Sequence, residues 1–148
     1  MSRPPRLAVR GLILRNGRLL LVNAYKGRDD LWTAPGGGVE PHRTLPDNLI
    51  RDVHEETGLT VTVGALALVN EFHDPDGPFH QVDLYFRCEV TGGDPDADWS
   101  DPEGIVSQRR WVGRTEIGTL RVKPDSLARV AWAEEGVAVY DPLEPILR

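Results

Sequence analysis

Asp52, Glu55 and Glu56 lie close together in the stretch APGGGVEPHRTLPDNLIRDVHEETGL, residues 34–59. At 100° per residue of helix the three carboxylates share one face, within roughly a third of the circle. Like charges at these spacings repel by about 0.2–0.5 kcal/mol per pair, and the last turns of a helix already disfavour negative charge. A bound cation would relieve both costs. Upstream, Gly36, Gly37 and Gly38 let the backbone approach a ligand closely and offer carbonyl oxygens as hard ligands. Carboxylates with carbonyls suit magnesium or manganese, which favour octahedral oxygen coordination and keep several waters. Two plainer readings stand beside this one: a solvated acidic face, and a tight strand-to-helix turn.

The elements that must position these residues follow from local signals. Thr44 is a suitable N-cap, with Pro46 and Asp47 in the first turn and Gly58 just past the end, so residues 45–57 are expected to be helical. Leu49, Ile50, Val53 and Thr57 form the face that should pack on a sheet. LAVRGLILR and RLLLVN, joined by Asn16-Gly17, read as a hairpin. LWTAP is a short strand ending at the glycines. LTVTVGALALVNEFH and FHQVDLYFRCEV are long strands, the second alternating Val82, Leu84 and Phe86 with Gln81, Asp83 and Arg87. IVSQRRWV is a further strand, KPDSLARVAWAEEG a second helix, and TGGDPDADWSDPEG a loop. The tail VAVYDPLEPILR, with two prolines, is expected to be irregular. Mostly antiparallel strands with two helices point to an α+β or α/β sandwich.

A chain of 148 residues without internal repeats fits a single domain over 1–148. The formal net charge of −6 argues against a surface for polymeric nucleic acid but leaves room for a small anionic ligand that arrives with a cation. One cysteine, Cys88, excludes an internal disulfide framework and fits the cytoplasm. Neither a signal-peptide pattern nor a run of about 20 apolar residues is present, so no membrane partner is expected.

The stretch resembles the box of the Nudix hydrolases. The family pattern is Gly, five residues, Glu, seven residues, then Arg-Glu-apolar-any-Glu-Glu-any-Gly-apolar. Gly37, Arg51, Asp52, Val53, Glu55, Glu56, Gly58 and Leu59 stand in register with it. The resemblance implies an α/β/α sandwich around a mixed sheet. It implies cleavage of a phosphoanhydride bond in a nucleoside diphosphate linked to another moiety, with Mg2+ or Mn2+ as cofactor. Carried over, Asp52, Glu55 and Glu56 become catalytic metal ligands, with the Gly37 carbonyl beside them. Pro75, sixteen residues past the box, stands at a spacing the family associates with ADP-ribose-type substrates.

Three positions depart from the pattern: His42 where the family has Gly, Arg43 where it has Glu, and Asp52 where it has Glu. The usual Glu at position 43 would pair with Arg51, and two arginines cannot. Arg43 is therefore expected to swing either to solvent or to a substrate phosphate, which its planar fork suits. Arg51 and Trp32 complete the expected substrate contacts, although Trp32 could equally enter the core. Glu103 is a possible additional acid in a loop whose plainer reading is a solvated one. The expected protein is a hydrolase of a small nucleotide-derived substrate, compatible with a homodimer. The alternative is a weak or inactive nucleotide-binding module.

Overall fold

The computed structural model describes residues 3–147 except 103, 107 and 135. Its hairpin is the one the sequence specifies. Strands β1 (Arg6–Arg15) and β2 (Arg18–Asn23) pair with Leu14 opposite Leu19. Asn16 and Gly17 take φ of 53° and 75°, the two positive values that a type I′ turn requires. β2 continues to β3 (Trp32–Thr33) on one edge and to β7 (Arg109–Gly113). On the other side β1 runs parallel to β6 (His80–Gly92), which pairs antiparallel with β5 (Thr60–His73). Among the described residues the strands form one mixed sheet.

Alternation along β1 and β2 divides the core in two. Val9, Ile13 and Leu20 face α1 (Leu45–Thr57), whose Leu49 and Val53 are fully buried against them with Val61. Leu12, Leu19 and Leu21 face the opposite layer, where α2 (Leu127–Ala131) buries Leu127, Val130 and Ala131. Each fully buried Leu or Val stabilises by about 1.5–3 kcal/mol, so helices are held on both faces by the period-2 pattern of the strands between them. This is the expected sandwich.

Several local expectations change. The segment Gly36–Gly38 is not a loop but a strand, β4, antiparallel to β1 with Arg10 opposite Gly36, Val9 opposite Gly37 and Ala8 opposite Gly38. Pairing with a central strand supplies the hydrogen bonds that a free loop would seek from water. The tail is not irregular: Val139–Pro145 forms β8, parallel to β5 at the sheet edge. An edge strand needs only one row of backbone partners, so Pro142 and Pro145 are tolerated there. The second helix spans five residues rather than the whole of KPDSLARVAWAEEG, and β7 starts at Arg109 rather than Ile105. Among the described residues no helix is long and apolar enough to cross a membrane.

β4 fits only because Gly36 has no side chain. Its φ is 152°, and a Cβ there would lie 1.9 Å from the Val9 carbonyl oxygen. Gly36→Ala is expected to cost about 3 kcal/mol or more, because the clash is with backbone of the central strand. Urea unfolding checks this, and a midpoint equal to that of the parent chain would contradict the packing of β4.

Candidate active site

α1 is held at both ends. Thr44 Oγ1 accepts from the Asp47 N–H at 3.1 Å, and Gly58 closes the C-terminus at φ 76°. The last turn is also gripped from outside the helix. The Trp99 indole N–H donates to the Glu55 carbonyl at 2.8 Å, and Arg109 donates to the carbonyl of Thr57. These contacts satisfy carbonyls that a helix end leaves open, and they fix the turn that carries Glu55 and Glu56.

β4 lies directly against the acidic face. The Gly36 N–H donates to Glu56 Oε2 at 2.9 Å. A Cβ on Gly37 would stand 3.0 Å from Asp52 Oδ2, so the glycine lets strand and carboxylate meet. Asn48, fully buried, ties the two elements: its Nδ2 donates to Asp52 Oδ2 at 2.9 Å and to the Gly38 carbonyl at 3.1 Å. Its Oδ1 accepts from the Glu40 N–H at 2.8 Å, so both amide hydrogens and the amide oxygen are engaged. Asp52, Glu55, Glu56 and Gly37 thus line one cleft of about 580 Å³, with Arg6, Arg10, Arg51 and Asp101 also in its walls.

The cleft strains its acids. Burial pushes the Glu56 carboxyl up to about 8, against the pull of Arg10 and the Gly36 N–H, and Asp52 and Asp101 push it further. Burial also raises Asp52, with Arg51 opposing. Nearby, burial works against the charge of Arg10, but Asp83, Tyr85 and Glu56 more than offset it and raise its pKa. The donor set is oxygen only, with no thiolate or imidazole beside the three acids. Among the described residues no three His, Cys, Asp or Glu side chains form a ready-made metal cage. The all-oxygen donor set is the kind that hard ions such as magnesium and manganese take, with water and phosphate oxygens completing the shell.

Arg51 is already partnered, by a residue outside the pattern. Its two terminal nitrogens donate to Glu40 at 2.9 and 2.8 Å, a bidentate pair. Glu40, three residues ahead of Arg43, does what an acid at position 43 would do. Arg43 also approaches Glu40, with Nε 3.9 Å from Oε2, and is not among the residues lining the cleft. The expected repulsion between the two arginines is offset, because the Glu40 carboxylate lies against both. His42 takes φ of 67°, a left-handed conformation that glycine holds without strain. The His42 backbone is therefore one that the family's residue at this position, glycine, could also adopt.

Other expected contacts resolve differently. Trp32 is 4% exposed and belongs to the core, so its apolar surface is spent on packing. Arg110 lies over its ring at 5.7 Å. Glu103 lies outside the described residues. Asp101, from the same loop, does reach the cleft, and its Oδ2 accepts from the Val106 N–H at 2.9 Å. Sequence reasoning passed over Glu40, Asn48, Arg6 and Arg10. Glu40 has no signature, since only the fold brings it to Arg51. Arg6 and Arg10, four apart on one strand, carry no signal of their own, and only the pairing of β4 with β1 brings them to the cleft.

The NUDIX domain family model matches residues 4–133. The chain belongs to this family. It is 34% identical over 94 residues to an ADP-ribose pyrophosphatase of Methanocaldococcus jannaschii, covering 61% of this chain and 54% of that protein. It is 32% identical over 97 residues to human diphosphoinositol polyphosphate phosphohydrolase 3-alpha, covering 66% of this chain and 56% of that one. The chain spans about half the length of the curated relatives it matches. A NUDIX hydrolase crystal structure from Nitrosomonas europaea superposes with a TM-score of 0.68 at 23% identity, over 99% of this chain and 81% of that one. That likeness carries the NUDIX fold.

If Glu40 stands in for the missing acid, the two positions are exchangeable. Glu40→Ala is expected to lower the melting temperature and weaken manganese binding several-fold. Adding Arg43→Glu to that variant should recover most of both losses. Thermal melts and manganese titrations on the parent, single and double variants check this. A Glu40→Ala chain that behaves like its parent would remove Glu40 from the account.

Proposed function

We propose that this NUDIX chain is a divalent-cation-dependent hydrolase cleaving the phosphoanhydride bond of a nucleoside diphosphate linked to another moiety. One observation carries the reading. Asp52, Glu55 and Glu56 meet Arg6 and Arg10 in the wall of a single cleft. Acids alone would repel a diphosphate, and arginines alone would bind it without activating water. Together they suit a substrate that arrives with its cation.

Asp52, Glu55 and Glu56 would hold Mg2+ or Mn2+, with the Gly37 backbone at the same wall. When bound, the ion neutralises phosphate charge and lowers the pKa of water. The chain's own groups do the rest. Arg10, held by the Ala34 carbonyl at 3.0 Å and facing Asp83, presents a fixed cation to phosphate oxygens from the floor of the cleft. Arg6, whose guanidinium lies against Gly38, offers a second from the rim. Arg51 is held by Glu40 and keeps the strand-to-helix connection closed over the helix, rather than reaching out for substrate. Asn48 keeps Asp52 turned towards β4, and the Gly36 N–H does the same for Glu56. The relatives' activities make ADP-ribose the first compound to try, followed by nucleotide sugars and dinucleoside polyphosphates.

Glu56→Gln is expected to reduce turnover at least a hundredfold with circular dichroism unchanged. Millimolar Mg2+ or Mn2+ should raise the melting temperature of the parent chain more than that of the variant, because an ion that binds only the folded state stabilises it by mass action. Product nucleotide is followed chromatographically, with exhaustive chelation as the control. Full turnover by Glu56→Gln, or undiminished turnover after chelation, contradicts the reading.

A further inference from the structure

Arg10 stands between two carboxylates. It lines the acid cleft with Glu56, and it also lines a second cavity, of about 180 Å³, with Gln81 and Asp83. In the β1–β6 pairing Ala8 is opposite Asp83 and Arg10 opposite Tyr85, so Arg10 and Asp83 are diagonal neighbours on one face of the sheet. Arg10 Nε is 3.5 Å from Asp83 Oδ2, and Nη1 donates to the Ala34 carbonyl at 3.0 Å. Among the described residues the ion pair of Arg10 is with Asp83 and not with Glu56, whose Oε2 accepts the Gly36 N–H instead. Burial works against the guanidinium charge, and of the groups that restore it Asp83 acts most strongly, ahead of Tyr85 and Glu56.

Asp83 is a costly residue at its position. It is 2% exposed, where an apolar side chain would lose less on leaving water. Its other oxygen is held as well: Gln81, also buried, donates Nε2 to Asp83 Oδ1 at 2.7 Å. The amide thus aims the carboxylate, and the carboxylate aims the guanidinium. The hold on Nε is one of charge, since this buried N–H has no aligned hydrogen-bond acceptor. A buried charge that loses its partner is strongly destabilised until it finds another. For Arg10 the other carboxylate whose field reaches it is Glu56.

We propose that Asp83 is a positioning residue that holds Arg10 away from Glu56, so that Glu56 stays open to the cation. The proposal rests on the reading of the acid cleft as a cation site. In the full chain two measurements test it: Mn2+ binding by calorimetry, and the Gly36 amide resonance of the metal-free, isotopically labelled protein. Asp83→Asn keeps the shape and an acceptor for Gln81 but removes the charge. Arg10 should then close on Glu56, weakening Mn2+ binding about fivefold or more and moving the Gly36 amide proton upfield as its bond to Glu56 lengthens. In an Arg10→Gln background the same substitution should change Mn2+ affinity by less than about twofold and leave the Gly36 resonance in place. Asp83→Glu, which restores the charge, should recover most of the lost affinity. Gln81→Leu, which keeps the charge and removes only its anchor, should produce both changes at smaller size, and it serves if melting curves show that Asp83→Asn does not fold. An equal loss of Mn2+ affinity in both backgrounds is only the field of the missing charge and overturns the proposal, as does an Asp83→Asn chain that matches its parent in both measurements. The outcomes separate from those of the cleft. A parent chain that binds no Mn2+, but whose Gly36 resonance moves in Asp83→Asn only while Arg10 is present, keeps the role of Asp83 and loses the cation site. Mn2+ binding by the parent that is indifferent to Asp83→Asn does the reverse.

Discussion

The contact on which the site depends is the approach of three consecutive glycines to a helix face that carries acids. Gly36 passes so near β1 that any Cβ would enter the Val9 carbonyl, and Gly37 and Gly38 lie against Asp52 and Arg6. Without side chains, β4 can lie between the central strand and α1 and present its backbone to both. The Gly36 N–H then reaches Glu56, and the Gly38 carbonyl reaches Asn48. Each bond is modest on its own, about 0.5–1.5 kcal/mol net, more where a charged group takes part. Their combined effect is positional: the carboxylates are aimed before any ligand arrives, which is the kind of preorganisation that catalysis of charge transfer needs.

The same geometry sets an electrostatic conflict. Packing acids against backbone removes them from water, and Glu56 and Asp52 resist ionisation as a result. Arg10 relieves part of this from below, but it is also engaged by Asp83 on its other side. Arg51 relieves Asp52 while bound to Glu40. The arginines therefore hold the acids in place without fully neutralising them, and the divalent ion proposed for this cleft would complete the balance.

How far the sequence showed this differs from element to element. The hairpin, α1 and its caps were legible because Asn16-Gly17, Thr44 and Gly58 act through local backbone geometry. The acid face was legible because helical spacing alone places Asp52, Glu55 and Glu56 together. β4 was not, since three glycines carry no strand propensity and their pairing with β1 is a tertiary event. β8 was hidden by its two prolines, which an edge position excuses. Glu40 was hidden because the pattern puts the acid at position 43, and only a folded connection shows that position 40 reaches Arg51 equally well. On β6 the alternation was seen, but its polar side, Gln81 and Asp83, is the buried one. Polar residues on alternate strand positions ordinarily face water, and here they face a cavity.

The central claim is that α1 and β4 together form the cation site. Amide resonance broadening by sub-stoichiometric Mn2+ in the isotopically labelled chain tests it directly, since paramagnetic relaxation falls steeply with distance from the ion. The account predicts that the signals of Gly36, Gly37 and Gly38 and of residues 52–57 broaden first. Broadening confined to the acidic stretch 94–101, or spread evenly over the chain, would contradict it.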